Sequence, residues 1–271
     1  MKRMCLILLV VGAFMVTLCP SHAQGGALYA ISGARYTNSV LYSLDPGTGA
    51  VIQTVGSAEL TGDQHIVSLA FDPCTGVLYG YINVYETYNL GALATIDVNT
   101  GLASVIGEIT PLQVPDLTFS PSRILYGWTE GGAWSDDLVT FNTATGGVTW
   151  VGESGIGTWA TGPGCDSAGN LYVKNGESLY SVNPVTGEAT FLTYLSSYTN
   201  NTLAFDENDN LYSIYRGEGT TYLLTIDIDT GLVTTIGDIG VPNISALAFQ
   251  PKGTPSATEA KTWGRIKAQY K

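Results

Sequence analysis

Residues 178–192 read SLYSVNPVTGEATFL, and four other stretches say nearly the same thing: VLYSLDPGTGAVIQTVG (40–56), LATIDVNTGLASVIG (93–107), LVTFNTATGGVTWVG (138–152) and LLTIDIDTGLVTTIG (223–237). In each, two alternating runs rich in β-branched residues flank an Asp or Asn that is followed, after two intervening residues, by Thr-Gly. An Asp or Asn side chain accepts backbone N–H groups two residues on, and glycine adopts a positive φ at no steric cost, so the phrase encodes a tight β-hairpin. Working outward, a Leu-Tyr pair precedes each hairpin, at Leu28, Leu78, Leu125, Leu171 and Leu211, with spacings of 50, 47, 46 and 40 residues. A period of that size, built of short β runs separated by turn residues, is the signature of propeller blades.

Each unit divides into four strand-like runs, a to d; in the second they are IVSLAF (66–71), GVLYGYINV (76–84), LATID (93–97) and LASVIG (102–107). Strand a precedes the second to fifth Leu-Tyr pairs, as SLAFDP (68–73), DLTFSP (116–121), GPGCDS (162–167) and TLAFDE (202–207), but nothing precedes the first. The missing copy stands at the other end, as ALAFQP (246–251). The sequence therefore predicts an all-β, five-bladed β-propeller of four-stranded blades, its ring closed by the C-terminal strand joining the N-terminal blade so that no edge strand is left free.

On LAFDPCTGVLYG and LYSLDPGTGAVIQTVG the chain resembles exported bacterial propeller-repeat proteins with units of the form LAFDP-TG-LY…IDP-TG-T-IG, related in pattern to NHL-like and YVTN-like propellers. The resemblance spans about residues 27–251. It implies blade architecture and no single activity, because propellers host lyases, hydrolases, lactonases, lectins and scaffolds alike.

Residues 1–23 read as an export signal: Lys2 and Arg3, an uncharged apolar run, then Ser21-His22-Ala23 as a small-residue cleavage site. The expected parts are this signal, a propeller over 24–253 and a basic tail over 254–271. The expected location is secreted, periplasmic or cell-surface, with no membrane span left after cleavage. The whole chain carries a formal net charge of −12, and residues 24–251 hold only Arg35, Arg123, Lys174 and Arg216 against 22 carboxylates. A body so acidic repels phosphate backbones, which disfavours nucleic acid as a partner.

Chemistry-bearing residues are few. Beyond the signal the chain has one histidine, His65, expected in a loop just before strand a of the second blade, and two cysteines, Cys74 and Cys165, expected as thiols with Cys165 in the core. That inventory is too small for a triad or a His-rich metal centre. No cofactor is expected; the one metal candidate is calcium at Asp206, Asn208 and Asp209 in the turn FDENDNLY, which lacks the closing Glu of an EF-type loop.

The face opposite the tight hairpins should carry the long b–c and d–a loops, which are rich in aromatics. Trp128, Trp134, Tyr85, Tyr88, Tyr198 and Tyr215, with His65 near the channel mouth, form the candidate ligand surface, since aromatic faces mixed with Asp, Glu and Asn suit a sugar or an extended peptide. The expected function is a monomeric, non-catalytic binding or scaffold module for a glycan or partner protein. Two alternatives stand: an extracellular hydrolase or lyase with carboxylates at the channel mouth, and a structural surface component attached through its tail.

Overall fold

The repeated phrase closes the same turn five times. In the computed structural model, which describes residues 26–33, 38–84, 90–130, 136–158, 161–200 and 202–252, Asp45, Asp97, Asn142, Asn183 and Asp227 each accept, on Oδ1, the N–H two residues on, at 2.7–3.0 Å. The glycine four residues on donates its N–H back to the same residue's carbonyl at a φ between 72° and 81°.

Around these hairpins stand five antiparallel four-stranded sheets. Blade 1 holds β1 (Leu28–Ser32), β2 (Val40–Leu44) and β3 (Val51–Ser57); blade 2 holds β4 (Gln64–Phe71), β5 (Leu78–Val84), β6 (Leu90–Ile96) and β7 (Ala103–Thr110). Blade 3 holds β8 (Gln113–Phe119), β9 (Leu125–Glu130), β10 (Leu138–Phe141) and β11 (Val148–Gly152); blade 4 holds β12 (Pro163–Cys165), β13 (Leu171–Asn175), β14 (Ser178–Val182) and β15 (Ala189–Tyr194). Blade 5 holds β16 (Ala204–Phe205), β17 (Leu211–Arg216), β18 (Thr221–Ile226) and β19 (Val233–Asp238), after which β20 (Ile244–Phe249) returns to blade 1. There β20 pairs antiparallel with β1, Leu28 opposite Phe249 and Ala30 opposite Leu247. The ring closes as the sequence predicts, in a five-bladed β-propeller. No helix occurs among the described residues.

Burial falls from the axis outward. The second strand of each blade is buried along most of its length, whereas the outermost strands β3, β7, β11, β15 and β19 are half-buried or exposed. The apolar core is accordingly five wedges, one between each pair of neighbouring blades. The Leu-Tyr tyrosines belong to these wedges: Tyr29 packs on Phe71, Tyr79 on Phe119, Tyr172 on Phe205 and Tyr212 on Phe249, each pair crossing to the next blade at 4.8–5.4 Å between ring centroids. Tilted ring pairs at this separation are favourable beyond their burial. Tyr126 alone lacks a phenylalanine, because its wedge holds Cys165 at that place.

A second seam runs round the outer rim. The outer strands of blades 1, 2, 3 and 5 carry Gly56, Gly107, Gly152 and Gly237, and each lies against the Thr-Gly turn of the next blade so closely that an added Cβ would overlap a threonine carbonyl. In blade 4 the carbonyl of Tyr194 takes that position against Gly231.

Two expectations are corrected. Cys74 is disulfide-bonded rather than a thiol, whereas Cys165 is free. His65 is the second residue of β4 and only 9 % exposed, not a loop histidine, because the strand starts two residues earlier than its apolar pattern suggests and pairs His65 with Asn83.

A tyrosine groove between blades 4 and 5

The connection from β15 to β16 is tied to blade 5 at both ends. The Ser196 N–H donates to the Gly231 carbonyl at 2.8 Å and Ser196 Oγ accepts the Val233 N–H at 2.9 Å. Further along, Asn200 N–H donates to the Ile214 carbonyl and Asn200 Oδ1 accepts the Arg216 N–H, each at 2.6 Å. Between the two ties stands Tyr198, 48 % exposed. Opposite it, beside the turn of the β17–β18 hairpin, Tyr215 and Tyr222 face each other across the ladder with rings stacked 6.3 Å apart at 25°. The three tyrosines, with Ser197, Leu224, Val233 and Thr235, line a groove of about 370 Å³. Tyr215 is 42 % exposed, so two of the three rings present open faces.

Behind Tyr198 lies a cation. Lys174 on β13 is 1 % exposed, and its Nζ sits 5.3 Å from the centre of the Tyr198 ring. Burial pushes its ammonium down to about 8, because the charged form has lost water. Arg216, on the face of β17 opposite Tyr215, donates its Nε to the Ile244 carbonyl of blade 1 at 2.7 Å, with its guanidinium close enough to Tyr198 to interact electrostatically with it.

The axis itself is polar at one point. Asp116 on β8 is buried; its Oδ1 accepts the Leu117 N–H at 2.9 Å and its Oδ2 accepts the Leu203 N–H of blade 5 at 3.3 Å. Burial drives its carboxyl well above the usual carboxylate range. Further along the channel the strand-a residues, Phe71, Phe119, Phe205 and Phe249 among them, line a cavity of about 90 Å³, with Cys165 in the fifth place. Burial pushes the Cys165 thiol up to about 12, with Asp166 and Asp209 adding to the shift, so it is no nucleophile at neutral pH.

A carboxyl whose folded value is raised holds its proton more tightly in the folded than in the unfolded chain. Its contribution to stability is complete below the ordinary carboxylate range and is lost as pH rises through the folded value. Asp116→Asn should therefore gain stability relative to the unmodified chain between pH 4 and pH 8. Urea midpoints measured for both at each pH check this, and a constant difference would refute the assignment.

The sequence candidates separate. Tyr198 and Tyr215 meet in the groove, joined by Tyr222. Trp128, expected on an exposed loop, is instead fully buried: β9 runs on to Glu130, and Trp128 packs in the wedge between blades 3 and 4 with Nε1 donating to Thr158 Oγ1 at 2.9 Å. His65, on β4, does not line the groove; its imidazole is held below the ordinary value chiefly by burial, with Arg216 adding to the shift. Tyr85, Tyr88 and Trp134 lie outside the described residues.

In the candidate calcium turn the oxygens serve the scaffold. Asp206 Oδ1 accepts the N–H groups of Asn208 and Asn210, and its Oδ2 accepts the Asn210 side-chain amide. Asp209 takes the Ser167 N–H and hydroxyl across to the neighbouring blade, both at 2.7 Å. No group of three His, Cys, Asp or Glu side chains suited to a metal occurs among the described residues. Asp137 likewise accepts the Ser154 N–H and the Trp150 indole N–H.

Tyr222 and Lys174 were open to a sequence reading only in part. Tyr222 ends the stretch YRGEGTTY (215–222), and Lys174 is the one charged residue in LYVKN, a strand otherwise patterned as buried.

No family model matches the chain, and no curated protein matches it. Among solved structures, a chain of a crystallised nidogen/laminin complex is similar over 84 % of this chain and 98 % of its own, at TM-score 0.56 and 12 % identity. A chain from work on the de novo evolutionary emergence of a symmetrical protein is similar over 84 % and 99 %, at TM-score 0.51 and 17 % identity. At such identities the likeness is one of fold.

Proposed function

We propose that the protein is an exported, non-catalytic binding module whose ligand, a glycan or a segment of a partner protein, lies in the groove of Tyr198, Tyr215 and Tyr222. The observation that carries this reading is the pair of open tyrosine faces over a shaped groove, held by a loop tied at both ends to the next blade. Rigid aromatic faces with a few polar neighbours favour ligand stacking at little entropic cost. The similar chain from a nidogen/laminin complex supports the propeller as a fold compatible with protein assembly. The buried thiol and the engaged carboxylates favour binding over turnover.

A glycan and peptide array on residues 24–252, with and without calcium, tests the reading. Single Tyr198→Ala and Tyr215→Ala variants should each weaken a hit about tenfold, the loss of one good stacking contact of roughly 1 kcal/mol plus its burial. Hits insensitive to both variants would place the ligand elsewhere, and reproducible turnover of any array compound would overturn the non-catalytic reading.

A further inference from the structure

The ties at Ser196 and Asn200 fix the backbone on either side of Tyr198, but a ring between them still turns about its own χ1 unless something holds it. What it meets is Lys174. This lysine shares its face of β13 with Tyr172, whose ring packs on Phe205 of blade 5, so its side chain leaves blade 4 toward blade 5 and ends with Nζ 5.3 Å from the Tyr198 ring centre. It is buried and does not line the groove; it stands behind the ring that does.

Stability does not explain the charge. No carboxylate among the described residues pairs with the ammonium, and burial holds it at about 8 rather than the ordinary 10.5. The folded chain therefore holds this proton less tightly than the unfolded chain does. The cost of burying the charged form is complete below about 8 and disappears as pH rises from there to 10.5. Tyr172 and Tyr180 on the neighbouring strands, Glu177 in the β13–β14 turn, Tyr198, and Tyr215 and Arg216 on β17 are the titratable or charged groups of the elements around it, and none is a carboxylate in contact with Nζ. A methionine would serve the core better. What an ammonium adds is attraction to an aromatic face, which is strongest where the cation is stripped of water.

We infer that Lys174 is a positioning residue of the tyrosine groove, its buried ammonium seating the Tyr198 ring from behind in the orientation that forms the groove wall. The consequence for binding rests on the groove being the binding site: the wall is set while the amine is charged and slackens as the proton leaves, so ligand is held at neutral pH and let go in mildly alkaline medium. Arg216, the other cation near that ring, has its Nε on the Ile244 carbonyl. A guanidinium stays charged across this range, so it adds no pH dependence of its own.

Nuclear magnetic resonance of the intact chain, labelled with carbon-13 at lysine Cε and tyrosine Cε, tests the seating without a ligand. Lys174→Met and Tyr198→Phe identify the two signals by their loss. The lysine should titrate with a midpoint of about 8, and the Tyr198 ring signal should shift with the same midpoint. Lys174→Met should hold the Tyr198 signal at its alkaline position at every pH, yet melt at a higher temperature than the unmodified chain at pH 7. A firmer fold with a looser ring separates positioning from support of the core. Lys174→Arg, checked by its melt, should keep the neutral-pH signal with no transition; if it does not fold, the methionine variant and the titration decide. A Tyr198 signal indifferent to both pH and Lys174→Met would overturn the inference, as would a lysine midpoint near 10.5. On the glycan and peptide array, hits that depend on Tyr198 should weaken at least threefold between pH 7 and pH 9 in the unmodified chain and not in Lys174→Met. Hits equally strong at both values would overturn the pH control. An array without such hits would count against the groove as a binding site, while the ring signals would still decide the seating of Tyr198.

Discussion

A chain ending at Asn243 should not fold cooperatively, whereas one ending at Lys252 should. Residues 244–252 contribute β20, the inner strand of blade 1, whose Ile244 and Leu247 are essentially fully buried. Burying side chains of this size is worth about 1.5–3 kcal/mol each. Without β20, Leu28, Ala30 and Ile31 of β1, all now fully buried, would face solvent along an unpaired edge. The combined loss, about 5 kcal/mol or more, matches the whole stability of many domains. Circular dichroism melts and size-exclusion profiles of the two chains read the effect, with aggregation of the shorter one expected. A permuted chain, 244–252 followed by a short linker and 26–243, separates lost contacts from lost connectivity. The Gln250 N–H already donates to the Ala27 carbonyl at 2.9 Å, and Glu207 holds both ends, Lys252 Nζ at 2.5 Å and the Gly26 N–H at 3.2 Å. The permuted chain should melt cooperatively within a few degrees of the parent. A cooperative melt of the truncated chain near the parent's would refute the closure argument.

The ring was legible because it is written five times. A turn that needs an Asx side chain and a positive-φ glycine leaves the same letters wherever it occurs, and a missing first copy of strand a matched by a surplus last one gives the closure directly. Trp128 misled for a local reason: it stands in YGWTEGG, where the glycines and Glu130 suggest a loop, and nothing in that stretch shows that cross-strand pairing with Leu138 continues the strand. The groove was half legible. Open aromatics in a loop are visible as letters, but that the 195–203 connection lays Tyr198 opposite Tyr215 depends on Ser196 and Asn200 finding partners in another blade. Asp116 reads as one more carboxylate in DLTFSP, and only the narrowness of a five-bladed axis brings Leu203 within its reach.

Gly101→Ala should cost far more than Gly62→Ala, although both glycines hold a positive φ, +81° and +69°. At Gly62 an added Cβ meets nothing within 4 Å, so the variant bears only the left-handed backbone penalty, about 1–2 kcal/mol. At Gly101 the Cβ would overlap the carbonyl group of Gly56 on the outer strand of blade 1. Both partners are backbone, so no rotamer change relieves the clash, and one blade must move away from the other. Overpacking of this kind adds about 1–3 kcal/mol, for a total of about 2–5 kcal/mol. Melting temperature should fall by roughly 4–20 °C for Gly101→Ala, given about 2–4 °C per kcal/mol in a domain of this size. The rim contact recurs at every blade junction, so a displacement at one passes to the Tyr29–Phe71 wedge inside it. Near-ultraviolet circular dichroism should therefore change for Gly101→Ala and not for Gly62→Ala. If the two variants melted together, the close rim contact would be slack that the blades take up freely, and the five aromatic wedges would hold the ring by themselves.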